Sequence, residues 1–385
     1  MRSVSIFGVT GSVGESGFDL LMRAGGPLAF RTVALTGGRN VARLAEMARA
    51  LRAEIAVTAH EGELPALRAA LEGSGIEAAA GAEALIEAAT RPADWTLSAI
   101  VGSAGLAPGM AALRRGGTLA LANKESLVCA GTLLRQTAAA AEARILPVDS
   151  EHSAIFQSLG GSNLETVEQV TITASGGAFR DWPLDRLAAA TVAEASTHPN
   201  WQMGQRITID SASMFNKAME VIETHEFFDL PAEKIKVLVH PESILHAMVT
   251  HKDGGTIAHL GPPDMRHAIG YALNWPHRQP LPLPVLDLAA LGSLNFRHPD
   301  ESRWPALRLA REVIAAGGAA GAVFNAAKEQ ALDDFIAGRI RFTEMAPRVE
   351  TTLEHMAGQS YFSAEPGDLP TVLDWDSQAR KAAAA

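Results

Sequence analysis

Between Val4 and Pro147, short β-branched runs alternate with Ala-, Leu-, Glu- and Arg-rich stretches of helical period. The runs fall at residues 4–9, 30–35, 55–58, 95–100, 118–121 and 144–146. That rhythm predicts βαβ units and a mainly parallel, Rossmann-like sheet in an α/β fold. Farther along, runs at 167–173, 235–239, 244–250 and 256–260 come closer together, the last two joined by the hairpin signal Lys252-Asp253-Gly254-Gly255. This change predicts a separate, central α+β domain. Prolines at 276, 280, 282, 284 and 299 then punctuate a stretch without regular period, which reads as a linker. From Trp304 onward the chain is Ala-rich, with helical spacing in Leu307, Leu309, Val313 and Ile314, so a small C-terminal helical domain is expected. Its last residues, Ala382 to Ala385, read as a frayed tail. The boundaries expected are 1–149, 150–276, 277–303 and 304–385, with no internal repeat.

A chain of 385 residues exceeds one ordinary core, and 47% apolar composition suffices for two or three. The net charge of -10 argues against nucleic acid as a partner, because phosphate-backbone binding needs a basic surplus. No run approaches the roughly 20 apolar residues that span a bilayer. After Arg2 comes strand-like Val4-Ser5-Ile6-Phe7 in place of a signal peptide, so a cytoplasmic protein is expected. Cys129 is the single cysteine, which excludes an intrachain disulfide and any multi-cysteine metal site.

The first run leads into Gly8-Val9-Thr10-Gly11-Ser12-Val13-Gly14, where a dinucleotide pyrophosphate meets free backbone N–H groups and the positive end of a helix. Its glycines fall at i, i+3 and i+6, so a ligand-free tight turn is the alternative. An NAD site carries an acid after the second strand, whereas this chain has Thr36-Gly37-Gly38-Arg39-Asn40. Arg39 without an acid favours NADPH; a solvated helix-start residue is its plainer reading. Ala122-Asn123-Lys124-Glu125 closes the fifth run, beyond whose carboxyl end ligands bind in such sheets, so Lys124 is a candidate to face nicotinamide and substrate.

Nine of the twelve histidines fall between His152 and His277, which places the chemistry there. Asp149 and Glu151, at i and i+2 after Pro147, project to one side of an extended segment and suit a hard cation. A solvated turn is the alternative. Glu220 is the candidate third carboxylate, on a helix predicted over 213–227, where Asn216 and Lys217 share its face. Oxygen ligands alone fit Mg²⁺ or Mn²⁺ better than zinc. His152 is either a recruit for zinc or a second-layer or packing residue. Ser175-Gly176-Gly177 and Asp210-Ser211-Ala212-Ser213 are candidate anion turns, although Ser211 or Ser213 alternatively caps the helix. Trp201 and Met203 sit in His198-Pro199-Asn200-Trp201-Gln202-Met203-Gly204, which has neither helical nor strand period and reads as a lid or as a docked anchor.

Several ordered motifs carry a resemblance: GVTGSVG, AIVGSAGL, LANKESLV, LPVDSEHSAIFQ, SGGAFR, HPNWQMG, IDSASMFNKAMEVIE, VHPESILHAMV and PPDMR. Through them, from the first strand into the C-terminal helices, the chain resembles the 1-deoxy-D-xylulose 5-phosphate reductoisomerases, NADPH-dependent oxidoreductases of the non-mevalonate isoprenoid route. The resemblance implies rearrangement and reduction of that sugar phosphate to 2-C-methyl-D-erythritol 4-phosphate. It places the metal ligands on Asp149, Glu151 and Glu220. Substrate contacts fall on Lys124, Ser150, Glu151, Ser175, His198, Ser211, Asn216, Lys217, Glu220 and His246, with Trp201 and Met203 in the lid. Cofactor contacts fall on Thr10, Gly11, Ser12, Val13, Gly38, Arg39, Asn40, Asn123, Glu125 and Gly204. Among these, Lys124, Asp149, Glu151, Glu220 and His198 are the expected catalytic set. Family members are homodimers, which implies an NADPH-binding domain over 1–149 and a catalytic and dimerisation domain over 150–276.

The departures are Val9, Arg39, Ala178 and Lys328, where relatives carry a small polar residue, lysine, proline and asparagine. None removes a ligand. Two other readings compete: a semialdehyde dehydrogenase-like NADP oxidoreductase, for which Cys129 is the only candidate nucleophile, and a non-catalytic NADPH-binding regulator. The latter predicts a damaged acid constellation, which the sequence does not show.

Overall fold

The computed structural model describes residues 1–201, 203–360 and 362–384. Gln202 of the lid motif and Ala385 of the expected tail lie outside the described residues. Two compact units result, one of residues 1–126, 134–150 and 265–283, the other of 127–133, 151–264 and 284–385.

The first unit holds a seven-stranded sheet in the order β4-β3-β2-β1-β5-β6-β7. Its strands are β1 (Arg2–Phe7), β2 (Phe30–Gly37), β3 (Ile55–Thr58), β4 (Glu77–Ala80), β5 (Trp95–Ser98), β6 (Thr118–Leu121) and β7 (Arg144–Pro147). Every pairing is parallel. The β-branched runs become strands because helices cover both faces, burying Val4, Ile6, Val33, Leu35, Ile55, Val57 and Leu97. Strand order reverses between β1 and β5, and β1 ends at the glycine turn that the sequence marks as ligand-facing. The run at 4–9 stops at Phe7: Gly8 takes φ +84°, and the N–H groups of Gly8 and Val9 both donate to the Thr36 carbonyl. Gly14 then lets the helix Ser12–Arg23 close onto that turn, because a Cβ there would stand 2.2 Å from the Gly8 carbonyl oxygen. Sequence patterning missed β4. Its Glu77-Ala78-Ala79-Ala80 carries no β-branched residue and is drafted into the sheet edge by pairing with β3.

In the second unit, β8 (Val167–Ala174), β9 (Ile235–Val239), β10 (Leu245–His251) and β11 (Thr256–Leu260) form a mixed sheet ordered β11-β10-β8-β9. The hairpin of β10 and β11 is antiparallel, as the Asp-Gly-Gly turn predicts, and β8 pairs parallel with β9. The helix predicted over 213–227 spans Phe215–Phe228, and a further helix that the sequence reading missed, Gln205–Ala212, precedes it across a break at Met214 with φ +65°. Ser211 and Ser213 therefore do not cap a helix start. Their hydroxyls return to the carbonyls of Ile207 and Ile209, four residues back in the first helix. In the same unit the C-terminal helices Ala306–Ala316, Ala320–Ile336, Met345–Ala357 and Leu369–Ala384 wrap the almost wholly buried Ala320–Ile336. The expected frayed tail is helical to Ala384. Ala383 is buried, and its carbonyl accepts from Arg348. No helix among the described residues is long and apolar enough to cross a membrane.

Candidate active site

At the carboxyl ends of β6 and β7, Lys124 and Asp149 form an almost buried pair with Nζ 2.7 Å from Oδ2. Asn123, directly before Lys124, caps the helix Lys124–Ala140: its Oδ1 accepts from the Ser126 N–H. Its amide group meanwhile reaches the carbonyls of Ile100 and Gly102 and the carboxylate of Glu125. Asn123 thus welds the turns after β5 and β6, and fixes where Lys124 begins. In the glycine turn, the Gly11 N–H is spent on the Gly8 carbonyl, while the helix it opens has no side-chain cap. The first N–H groups of an α-helix have no partner within it, so those of Ser12 and Val13 lie at an end without a side-chain cap. Asn40 caps the helix Val41–Leu51 by accepting from the Arg43 N–H. Arg39 beside it is extended and mostly exposed, 3.9 Å from Glu63.

The extended segment expected at Asp149 to Glu151 turns helical at Ser150, so Glu151 lies in the first turn of the helix Ser150–Leu159. This places its carboxylate against the helix Phe215–Phe228, with oxygens of Glu151 and Glu220 within 4.8 Å of one another. Lys217 holds both: its Nζ lies 3.2 Å from Glu151 Oε1 and also contacts Glu220 Oε2. Asn216 donates to the other Glu220 oxygen at 2.6 Å. The i, i+3 and i, i+4 spacings expected on this helix are therefore realised. Glu220 is only 1% exposed, so the ammonium and amide supply what water does not.

His152 packs behind these acids, fully buried. Nε2 lies 3.0 Å from both the Glu220 carbonyl and the Thr224 hydroxyl, and Nδ1 lies 3.3 Å from Glu223 Oε2. These contacts tie it to the helix that carries Glu220, and it also offers a ligand atom within 4.8 Å of one on Glu223. Glu223 and Thr224 escaped the sequence reading, although both lie within one turn of Glu220.

The anion turns also meet. A Cβ on Gly177, which has φ +63°, would stand 2.5 Å from the Ala212 Cα and 2.7 Å from the Ser211 carbonyl oxygen, so the Ser175 turn rests on the end of the Gln205–Ala212 helix. His198 governs its chemistry. Its Nδ1 accepts the backbone N–H groups of Asn200, at 3.1 Å, and Trp201, at 2.9 Å. The neutral ring therefore carries its proton on Nε2, which donates to Ser175 Oγ at 2.9 Å. The Gly177 N–H donates to the same oxygen at 3.1 Å. With two incoming bonds, the Ser175 O–H is aimed at a further acceptor. Burial, assisted by the nearby Arg180 charge, lowers the His198 pKa to about 4.

Arg180 was not singled out from the sequence. It donates to the Ser175 carbonyl at 3.1 Å, and only its place in the SGGAFR segment hinted at this. Trp201 packs on His246: the two rings stand 6.3 Å apart, edge to face, and His246 Nε2 bonds the Gly261 carbonyl. Met203 and Gly204 lead directly into Gln205–Ala212. Asn200 fastens this segment, donating to Ser243 Oγ at 2.9 Å and to the Pro241 carbonyl.

Comparison with known proteins covers nearly the whole chain. Residues 4–131 match the family described as 1-deoxy-D-xylulose 5-phosphate reductoisomerase, and residues 145–228 and 260–382 match C-terminal domains of the same name. A reductoisomerase of that name from Paracoccus denitrificans is 75% identical, over 100% of this chain and 98% of its own length. One from Cereibacter sphaeroides is 66% identical over 100% and 97%. The solved enzyme from Zymomonas mobilis in complex with NADPH is 45% identical with a TM-score of 0.92, covering 100% of this chain and 98% of that one. A reductoisomerase in complex with NADPH, fosmidomycin and magnesium is 37% identical, with a TM-score of 0.93 and the same coverage.

The tautomer assigned to His198 has a pH signature. An unfolded histidine protonates near 6.5, well above the folded value of about 4. As pH falls through that window the unfolded chain takes up the proton first, so this group's contribution to stability is complete above 6.5 and is lost toward 4. Nitrogen-15 imidazole spectra are expected to show His198 neutral, protonated on Nε2, and silent between roughly pH 6 and 8. A His198 midpoint near 6.5, or a proton on Nδ1, contradicts the assignment.

Proposed function

The chain belongs to the 1-deoxy-D-xylulose 5-phosphate reductoisomerase family, and we infer from this that it rearranges and reduces 1-deoxy-D-xylulose 5-phosphate to 2-C-methyl-D-erythritol 4-phosphate. It is an NADP-dependent oxidoreductase that uses NADPH and a divalent cation. The observation that carries its metal dependence is the pair Glu151 and Glu220, carboxylates within 4.8 Å of one another with the Lys217 ammonium between them. A cation already satisfies this pair, and the donor set is oxygen, as Mg²⁺ or Mn²⁺ requires.

We assign the cation to Asp149, Glu151 and Glu220. Asp149 precedes Glu151 by two residues, a chain length of at most about 7 Å. When bound, the cation supplies Lewis acidity toward the keto and hydroxyl oxygens of the substrate, and NADPH supplies the hydride for the resulting aldehyde. Lys217, released toward the substrate, and Asn216 bind its oxygens, while Ser175, Ser211 and His198 hold its phosphate. The Ser175 O–H is the donor best prepared for this, because His198 and Gly177 fill its acceptor sites. Ser150 adds a hydroxyl from the first turn of its helix. Trp201, Met203 and His246 cover the site and exclude water, so that phosphate binding energy is spent on orientation. Lys124 polarises the carbonyl or donates the proton that accompanies reduction.

The cofactor pyrophosphate is assigned to Thr10, Gly11, Ser12 and Val13, and its 2′-phosphate to Gly38, Arg39 and Asn40. Gly38 has open space where a Cβ would stand, and Arg39 is extended beside it. Asn123, Glu125 and Gly204 complete the set. Cys129, buried within the helix Lys124–Ala140, offers no support for an acyl-enzyme alternative. The domains that we assign are 1–149 for NADPH, 150–276 for catalysis and dimerisation, and 304–385 as a helical cover joined through 277–303. A cytoplasmic homodimer in the non-mevalonate isoprenoid pathway completes the reading. Light scattering is expected to give a mass near twice 40.6 kDa, and a monomer at micromolar concentration contradicts it.

Absorbance at 340 nm tests the activity. NADPH loss is expected only when 1-deoxy-D-xylulose 5-phosphate and Mg²⁺ or Mn²⁺ are both present. Glu220→Gln should lower kcat/KM by on the order of 100-fold or more, as several kcal/mol of charge stabilisation is at stake. Undiminished turnover after chelation of every divalent ion overturns the metal assignment.

A further inference from the structure

A buried charge pair outside the assigned site bears on how that site is shaped. Lys328, on the helix Ala320–Ile336, is 3% exposed, and its Nζ donates to Asp210 Oδ2 at 3.1 Å. Asp210 is itself buried, and its other oxygen has no hydrogen-bond partner among the described residues. Such a pair gives little net stability, because the cost of desolvating two charges offsets their attraction. What it does give is a fixed position. Asp210 immediately precedes Ser211 and Ala212, the residues against which Gly177 packs without room for a Cβ. The Ala212 carbonyl is held from the same C-terminal layer by Trp304 Nε1 at 3.2 Å.

We propose that Lys328 is a positioning residue for the substrate's phosphate: through Asp210 it locks the end of the Gln205–Ala212 helix where Ser211 and the Ser175 turn face a common anion. This rests on the assignment of Ser175 and Ser211 to the phosphate. A shift of that helix end disturbs the Ser175 turn, because Gly177 packs directly against Ser211 and Ala212. Neither Lys328 nor Asp210 touches the substrate, so their removal acts on phosphate binding and leaves the cofactor site alone.

Steady-state kinetics and thermal melting of the full-length protein test this with Lys328→Gln, the double variant Asp210→Asn/Lys328→Gln, and Ser211→Ala. Lys328→Gln is expected to raise KM for 1-deoxy-D-xylulose 5-phosphate by about tenfold, with kcat and the KM for NADPH within about threefold of wild type. The double variant removes both charges of this pair. It should recover the melting temperature yet keep the raised KM, and it carries the measurement if Lys328→Gln does not fold. Recovery of both quantities in the double variant, or a wild-type KM in Lys328→Gln, overturns the proposal by reducing the pair to a structural one. If Ser211→Ala raises KM and the Lys328 variants do not, the positioning role alone fails. If Ser211→Ala also leaves KM unchanged, the phosphate assignment fails and takes the proposal with it.

Discussion

Two carboxylates that water hardly reaches, on Glu151 and Glu220, must be neutralised where they stand. Removing one partner from a buried charge network typically costs about 3–5 kcal/mol. Lys217 contacts both acids, and Asn216 ties down the second oxygen of Glu220. That requirement fixes the first turn of Ser150–Leu159 against Phe215–Phe228, and His152 clamps the same two helices from behind through the Glu220 carbonyl and Glu223. Both acids thus share one ammonium, the position that the proposed cation would take.

The phosphate side follows a different logic, in which donors are prepared by deciding who accepts. Two backbone N–H groups settle the proton of His198 on Nε2, and that proton, with the Gly177 N–H, fills the lone pairs of Ser175. The seryl O–H is left as a donor, as binding an anion demands. The segment that sets the His198 tautomer is also the one that carries Trp201, so Trp201 and the Ser175 hydroxyl are coupled through one ring.

Much of this was legible in the sequence wherever local chemistry decides the outcome. Parallel strands buried on both faces announce themselves as β-branched runs, and glycines at positions 8, 11 and 14 mark a close turn. The helix spacing of Asn216, Lys217 and Glu220 gave their shared face directly. Tertiary context decided the rest. Glu77–Ala80 is a strand because β3 offers it hydrogen bonds. An unexpected helix, Gln205–Ala212, precedes the one expected over 213–227, so Ser211 ends one helix and does not cap the next. Glu151 meets Glu220 from the first turn of a helix, where the sequence suggested an extended segment. The contacts of His152 have no signature in residue order, because they come from groups distant in the chain, whereas the tautomer of His198 is set by N–H groups only two and three residues on, which the local turn aims at Nδ1.

Anomalous diffraction from crystals equilibrated with Mn²⁺ and substrate-free buffer tests the central claim most directly. One strong manganese peak is expected, within coordination distance of carboxylate oxygens on both Glu151 and Glu220, with the Lys217 ammonium withdrawn from between them. A fully occupied manganese site elsewhere, with Lys217 still bridging the two acids, would contradict the account.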